Sequence, residues 1–259
     1  MTAPVVATVG TTHPLAFAGL VFAALAIADD GARPVCVVAG VSAQSAAHVT
    51  ALRAVDPPAI AAQFAALLDA GVAAFHVGAL VSADAVRAVA AGLALFPGIP
   101  VVVDPVLAAS GGDALADART ADALRDDLIP LATVVTPNLA EAGALLGRTV
   151  LDVGAMRDAA AAFVALGARA ALVKGGHLTG DAVDVLAHAD DVRTFASPRI
   201  DADLRGTGDL LAVSIASALA RGSDLPTAIE TARARVRDAI EGGEPFAGTR
   251  VARRSAVRR

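Results

Sequence analysis

The sequence predicts an α/β fold in which a central, mostly parallel β-sheet is flanked by helices on both faces. Two observations carry this expectation. Short β-branched runs alternate with Ala- and Leu-rich segments of helical length, and one run, Val101–Asp104, is apolar at successive positions, as in a strand covered on both sides. A third observation sets the domain count. No repeat, linker or Pro- or Ser-rich stretch divides the 259 residues, so residues 1–245 are read as a single domain and 246–259 as a basic, flexible tail.

Val5–Val9 is a β-branched run ended by Gly10, and residues 14–29 follow as an Ala/Leu-rich helix. Pro34–Ala39 is the second strand, Pro58–Ala70 a helix, Ala73–Val77 a strand, Ala83–Leu95 a helix and Val101–Asp104 the next strand. The alternation continues with a helix over Ala121–Leu128, a strand at Thr133–Val135, helices at Leu139–Leu146 and Val153–Leu166, and a strand at Ala170–Val173. Val183–Leu186 and Val192–Phe195 lie on either side of His188-Ala189-Asp190-Asp191 and predict a hairpin. Leu211, Ile215 and Leu219 recur at a spacing of four, which predicts a buried helix over 208–221, and a last helix spans 225–241.

Composition excludes several classes. No apolar run reaches the eighteen or so residues of a membrane span. The N-terminus has no basic segment ahead of its apolar residues, which speaks against a secretory signal. The single cysteine, Cys36, leaves no internal disulfide and fits a reducing cytoplasm. The net charge of −5 conceals five arginines without an acid in residues 250–259, a frayed and solvated terminus on the simplest reading. With neither Trp nor Tyr, the chain has little to stack on exposed bases, and nucleic acid is not an expected partner.

In open α/β sheets the ligand lies at the C-terminal ends of the strands. Gly10, Gln44, Gly78, Asp104, Thr136-Pro137-Asn138 and Lys174-Gly175-Gly176-His177 all collect there. Gly206-Thr207-Gly208-Asp209 opens the buried helix, so free N–H groups on a Gly-x-Gly turn would meet phosphate or a developing anion. Asp209 is then either a general base or a first-turn acid complementing the helix dipole. Asp104 is suited to hold Mg²⁺ beside phosphates, or to serve as a turn residue. Asn138 followed by Glu141 is a capping-box pattern and equally a pair of oxygen donors for that metal. Lys174 offers a point charge for phosphate. His13 and His76 lack metal-like spacing, and neither a P-loop nor Gly-x-Gly-x-x-Gly after the first strand is present.

These residues carry a resemblance. Asp104-Pro105-Val106 with Ser110-Gly111, Leu131 to Asn138 with Glu141, Val173-Lys174-Gly175-Gly176-His177, Pro198-Arg199-Ile200-Asp201 and Gly206-Thr207-Gly208 resemble the hydroxymethylpyrimidine/phosphomethylpyrimidine kinases of thiamin biosynthesis, members of the ribokinase-like superfamily. The match is dense over about 100–241, and Ala43-Gln44, Asp56-Pro57-Pro58 and Ala61-Ala62-Gln63 keep the same order before it. The resemblance implies a ribokinase-like fold, a homodimer, ATP with Mg²⁺, and γ-phosphate transfer to a heterocyclic alcohol or to the phosphate on it, in the cytoplasm that the single cysteine fits. Carried over by position, Gly206, Thr207 and Gly208 form the anion hole, Lys174, Thr207 and Asn138 meet the nucleotide, and Asp104, Asn138 and Glu141 organise magnesium. Gly10, Gln44 and Val106 line the substrate side, where the Gln44 amide matches an aminopyrimidine edge.

Four departures accompany the match. Asp209 stands where the family usually has Cys and resembles the base of sugar, nucleoside and pyridoxal kinases. The first loop, Gly10 to Gly19, lacks the family's acid and most of its glycines, Ala79 replaces a usual Met, and His76 a common Lys. A pyridoxal-type kinase and a non-catalytic pyrimidine- or nucleotide-binding relative therefore stand as alternatives.

Overall fold

The computed structural model describes residues 2–176, 178–189, 191–202 and 204–253. In chain order the elements are β1 (Val5–Thr12), α1 (Gly19–Asp29), β2 (Arg33–Gln44), β3 (Val49–Ala54), α2 (Pro57–Ala65), β4 (Val72–Val77), α3 (Ala83–Leu93) and β5 (Val101–Val103). They continue with α4 (Ala118–Ala123), β6 (Val134–Val135), α5 (Leu139–Leu146), α6 (Val153–Ala165), β7 (Ala170–Lys174), β8 (Ala182–His188) and β9 (Asp191–Ser197). Then come α7 (Thr207–Ala220), α8 (Leu225–Glu241), β10 (Glu244–Phe246) and β11 (Thr249–Val251). Among the described residues nine strands form one sheet in the order β3-β2-β1-β4-β5-β6-β7-β8-β9. The six from β2 to β7 are parallel, and β3, β8 and β9 add antiparallel edges.

Alternation along the parallel strands splits the apolar residues between two layers, because successive side chains leave opposite faces. Ala7, Val9, Phe75, Val77, Val101, Val103, Val135 and Val173 pack with α2, α3, α5 and α6. Val6, Ala74, Val102, Val134 and Leu172 pack with α1, α7 and α8. Helix α7 is buried continuously from Leu210 to Ala218, which explains why its sequence is apolar all round. The chain leaves β1 toward β2 and β3, then returns to place β4 on the other side, so the order of strands reverses between β1 and β4. Clefts form at such a reversal, outside the carboxyl ends of the strands.

Several boundaries differ from the sequence reading. Strand β2 runs on past Ala39 to Gln44 and pairs with β3, an edge strand so open to solvent that its residues carry no apolar pattern. The helix expected from residue 14 starts at Gly19, since Ala16 and Gly19 take φ of +51° and +67° and residues 14–18 form a loop. The helix expected over 121–128 begins earlier, at the Asp117 cap, and beyond Ala123 widens into a π-type turn, Leu124–Leu128. The tail expected from residue 246 is a correction: residues 244–251 form the β10–β11 hairpin, held by cross-strand backbone bonds and by the docking of buried Val251 beside Arg205. Arg254 to Arg259, and with them most of the arginine cluster, lie outside the described residues, as do His177 and Asp190. No helix among the described residues is long and apolar enough to cross a membrane.

Helices α2 and α3 meet at Gly92, where an added Cβ would overlap the ring of Phe64. That ring is fully buried between Phe75 and Phe96, with centroids at 6.0 and 6.4 Å, and has nowhere to retreat. Overpacking a dense core costs about 1–3 kcal/mol. Gly92→Val is therefore expected to lower the thermal midpoint by roughly 2–10 °C in calorimetry; an unchanged midpoint would mean that the two helices can separate freely.

Candidate active site

Three neighbouring strands end at one buried carboxylate. Asp104, which follows β5 and is 2% exposed, accepts at Oδ1 from Lys174 Nζ of β7 at 2.8 Å and from Thr136 Oγ1, just past β6, at 3.0 Å. Burial alone would lower the Lys174 pKa, but the Asp104 and Glu141 carboxylates outweigh it and the net shift is upward, so the ammonium stays charged. His76, on β4 beneath this pair, donates or accepts at Nδ1 with Thr8 Oγ1 at 3.0 Å. Burial pushes its pKa down to about 4, so it is a neutral imidazole at physiological pH.

The start of α5 lies alongside, because Asn138 bridges to Lys174 and Lys174 N–H donates to the Pro137 carbonyl at 2.8 Å. Both halves of the capping box are made: Asn138 Oδ1 accepts from Glu141 N–H at 2.9 Å and Glu141 Oε2 from Asn138 N–H at 2.7 Å. The structural alternative read from the sequence is thus real, and it commits one oxygen of each side chain to the helix. Glu141 is nonetheless buried, and burial together with the nearby Asp104 charge raises its pKa against the pull of Lys174. It is an acid placed where a helix cap alone would not need burial.

Six of the described helices begin at a side chain that accepts from the N3 amide: Asp56, Ser82, Asp117, Asn138, Asp152 and Asp224. Helices α1 and α7 have no such cap. At α7 the N-cap is Gly206, held at φ +85° with the Phe17 carbonyl against its α-carbon, where any side chain would collide. Gly208 stands beside the ion pair: an added Cβ would lie 3.3 Å from Lys174 Nζ and 3.8 Å from Asp104 Oδ2. The start of α7 therefore carries no side-chain cap and brings the positive end of its helix dipole beside a fixed cation, an arrangement suited to an anion. Asp209 Oδ2 accepts from Gly19 N–H at 3.4 Å, so the acid of one uncapped helix serves the start of the other. Burial, reinforced by the Asp104 charge, raises the Asp209 pKa to about 7 despite Gly19 and Lys174.

A pocket opens from Asp209 to Gln44, lined also by Val106, Thr11, His13, Phe17, Ala79 and Arg205. Asp209, Gln44 and Val106 thus meet in one cavity, while Gly10 lies under its floor, against the backbone of Gly78 and Ala79. Lys174, Asp104, Asn138 and Glu141 cluster behind Asp209, on the side of the first turn of α7. The sequence reading placed Thr136 among the residues at the strand ends without giving it a partner, and assigned no role to Phe17, His13 or Arg205, which have no local signal.

Comparisons with known proteins show the family and the fold of the chain. A family model described as phosphomethylpyrimidine kinase matches residues 18–252. The hydroxymethylpyrimidine/phosphomethylpyrimidine kinase of Streptomyces coelicolor is 40% identical over 220 residues, 84% of this chain and 81% of that protein. The protein of that name from Rhizobium meliloti is 39% identical over 212 residues, 80% and 79% of the two chains. Among solved structures, pyridoxal kinase from Bacillus subtilis in an ADP complex superimposes with a TM-score of 0.91 at 28% identity, covering 99% of both chains. Phosphomethylpyrimidine kinase from Clostridium difficile does so with a TM-score of 0.81 at 26% identity, covering 92% of this chain and 99% of that one.

The raised pKa values have a consequence for stability. Asp209 and Glu141 bind protons more tightly folded than unfolded, so their contribution is complete below about pH 4 and is lost as pH rises through about 7. Asp209→Asn removes one of these burdens while leaving an oxygen for Gly19 N–H. The ligand-free variant should exceed the parent in stability by on the order of 1–3 kcal/mol at pH 8, with the gap shrinking at pH 5. Urea unfolding at both pH values measures it, and equal stability at pH 8 would show that Asp209 ionises without penalty.

Proposed function

The chain belongs to the phosphomethylpyrimidine kinase family, and from that premise we propose that it transfers the γ-phosphoryl group of ATP to hydroxymethylpyrimidine, to its monophosphate, or to both, in thiamin biosynthesis. One observation carries the reading: Asp209, with a pKa of about 7, stands where the anion site of α7 opens into the substrate pocket. A carboxylate at that junction takes the proton of an alcohol as its oxygen bonds to the γ-phosphorus and the bond to the ADP oxygen breaks. The first amides of α7 face the charge that develops on the transferred group, and Lys174, locked by Asp104, lies beside them. Gln44, at the far end of the pocket, presents the amide pair that an aminopyrimidine edge matches.

Magnesium fits the same site by charge. Asp104, Glu141 and Asp209 share the single ammonium of Lys174, and burial, with the Asp104 charge added to it, raises the pKa of Glu141 and of Asp209 against its pull. Asp104 and Glu141 are the side chains that would hold the ion, directly or through water; Asn138 contributes by fixing Glu141. When bound, the ion neutralises the polyphosphate. A homodimer in the cytoplasm completes the proposal. A second reading, a pyridoxal-type kinase, is favoured by Asp209 itself and by the overlap with Bacillus subtilis pyridoxal kinase.

Asp209→Asn should lower kcat by about 10²–10⁴-fold with little effect on ATP binding. The acidic limb of kcat/KM, expected near pH 7 in the parent because protonation of Asp209 removes the base, should vanish with it. Turnover close to the parent's would reduce Asp209 to a helix-start residue. Gln44→Leu should cost roughly ten- to a hundredfold in kcat/KM for hydroxymethylpyrimidine and far less for pyridoxal, and a parent that phosphorylates only pyridoxal would decide for the second reading.

Glu141→Gln separates the two uses of that side chain. Glutamine still accepts from Asn138 N–H, so the cap survives, whereas the charge is gone. The Mg²⁺ concentration for half-maximal rate should rise several-fold with little change in melting temperature. An unchanged magnesium titration together with a large loss of stability would assign Glu141 to the cap alone.

A further inference from the structure

The loop between β1 and α1 is held mostly by itself. The amides of Leu15 and Ala16 both donate to His13, to Nδ1 and to the carbonyl, each at 3.1 Å. Yet this loop stands at a sensitive place. The Phe17 carbonyl lies against the α-carbon of Gly206, and two residues later Gly19 N–H donates to Asp209. Whatever fixes Phe17 on Gly206 therefore also fixes how the start of α1 meets Asp209.

One element from the far end of the chain touches both sides of that contact. Arg205 N–H donates to the Arg250 carbonyl and Ala252 N–H donates to the Arg205 carbonyl, both at 3.0 Å, so β11 clamps the residue that leads into Gly206. From β10 the ring of Phe246 stands edge-on to that of Phe17, with centroids 6.5 Å apart and planes at 82°. Phe17 is 7% exposed and Phe246 46%, so Phe246 covers the loop from outside and is not a core residue. The hairpin turns through Ala247 and Gly248 at φ of +51° and +80°, and a Cβ added at Gly248 would meet nothing within 4 Å. Gly248 thus reaches the site only through the two strands.

We propose that the β10–β11 hairpin is a brace for phosphoryl transfer: with Phe246 on Phe17 and β11 on Arg205, it presses residues 14–18 onto the first turn of α7 and so sets where Gly19 and Asp209 stand. Phe246 is a positioning residue, because it acts through Phe17 and lies outside the pocket lining. The proposal rests on the kinase reading above and adds to it a part of the chain remote from the pocket in sequence. Rates are sensitive to such support, since a misplacement of about 1 Å caused far from the reacting atoms can cost about 10²-fold.

Hydrogen exchange and kinetics test it together. In the ligand-free protein Phe246→Ala should speed exchange several-fold at the amides of Leu15 to Gly19 and of Arg205 to Gly208, with little change in melting temperature. At saturating ATP its kcat, with hydroxymethylpyrimidine or with pyridoxal, should fall on the order of ten- to a hundredfold, while KM for ATP changes little. Phe246→Tyr keeps the ring contact and should restore both readouts. Gly248→Val, strained at positive φ, should act in the same direction as Phe246→Ala, and Ala247→Asn, which suits positive φ, should slow the exchange. A parental kcat per folded molecule in both Phe246→Ala and Gly248→Val would overturn the brace, whether or not melting temperature or exchange moves. If the parent turns over neither acceptor, the kinase reading fails by itself, and parental exchange in the two variants would then overturn the brace separately.

Discussion

The Oδ1 atom of Asp104 accepts from Lys174 and Thr136, so a single buried oxygen gathers the ends of β5, β6 and β7. A charge so placed must be paired, and the pair in turn must be fixed, because removing either partner strands the other in a poorly solvated site. Everything nearby adjusts to that requirement. Lys174 N–H is anchored on Pro137, which sets the start of α5; burial, with the Asp104 charge added to it, raises the pKa of Glu141 and Asp209, and burial, against the Asp104 charge, lowers that of His76. The sheet supplies the ends of strands, and the ion pair turns those ends into a site with a sign.

The helix starts divide the labour in a similar way. Six described helices satisfy their N3 amide with their own side chain. Helices α1 and α7 forgo that arrangement and meet across Asp209. A buried acid with a raised pKa such as Asp209 is a poor stabiliser above neutrality.

Much of this was legible in the residues. Continuous apolar strands announced a sheet covered on both sides, the spacing of Leu211, Ile215 and Leu219 announced α7, and Asn138 with Glu141 announced the cap that the structure contains. The illegible parts share one physical property, dependence on partners remote in sequence. Strand β3 exists because β2 offers it an edge, not because its residues are apolar; β10 and β11 are too short to show a pattern; the loop before Gly19 breaks a run that is helical in composition. The bond from Gly19 to Asp209 and the clamp on Arg205 leave no mark within any window of neighbouring residues.

That clamp also orders events in time. Every strand of the main sheet and helix α7 are synthesised before β11, yet Arg205 receives both of its backbone partners from Arg250 and Ala252. Domains acquire structure from the N-terminal side as the chain is made. A nascent chain that has finished α8 can already close its sheet and bury both cores except Ala252, while the residue leading into the Gly206 turn still lacks its partners. The turn at the start of α7 is therefore completed after the sheet.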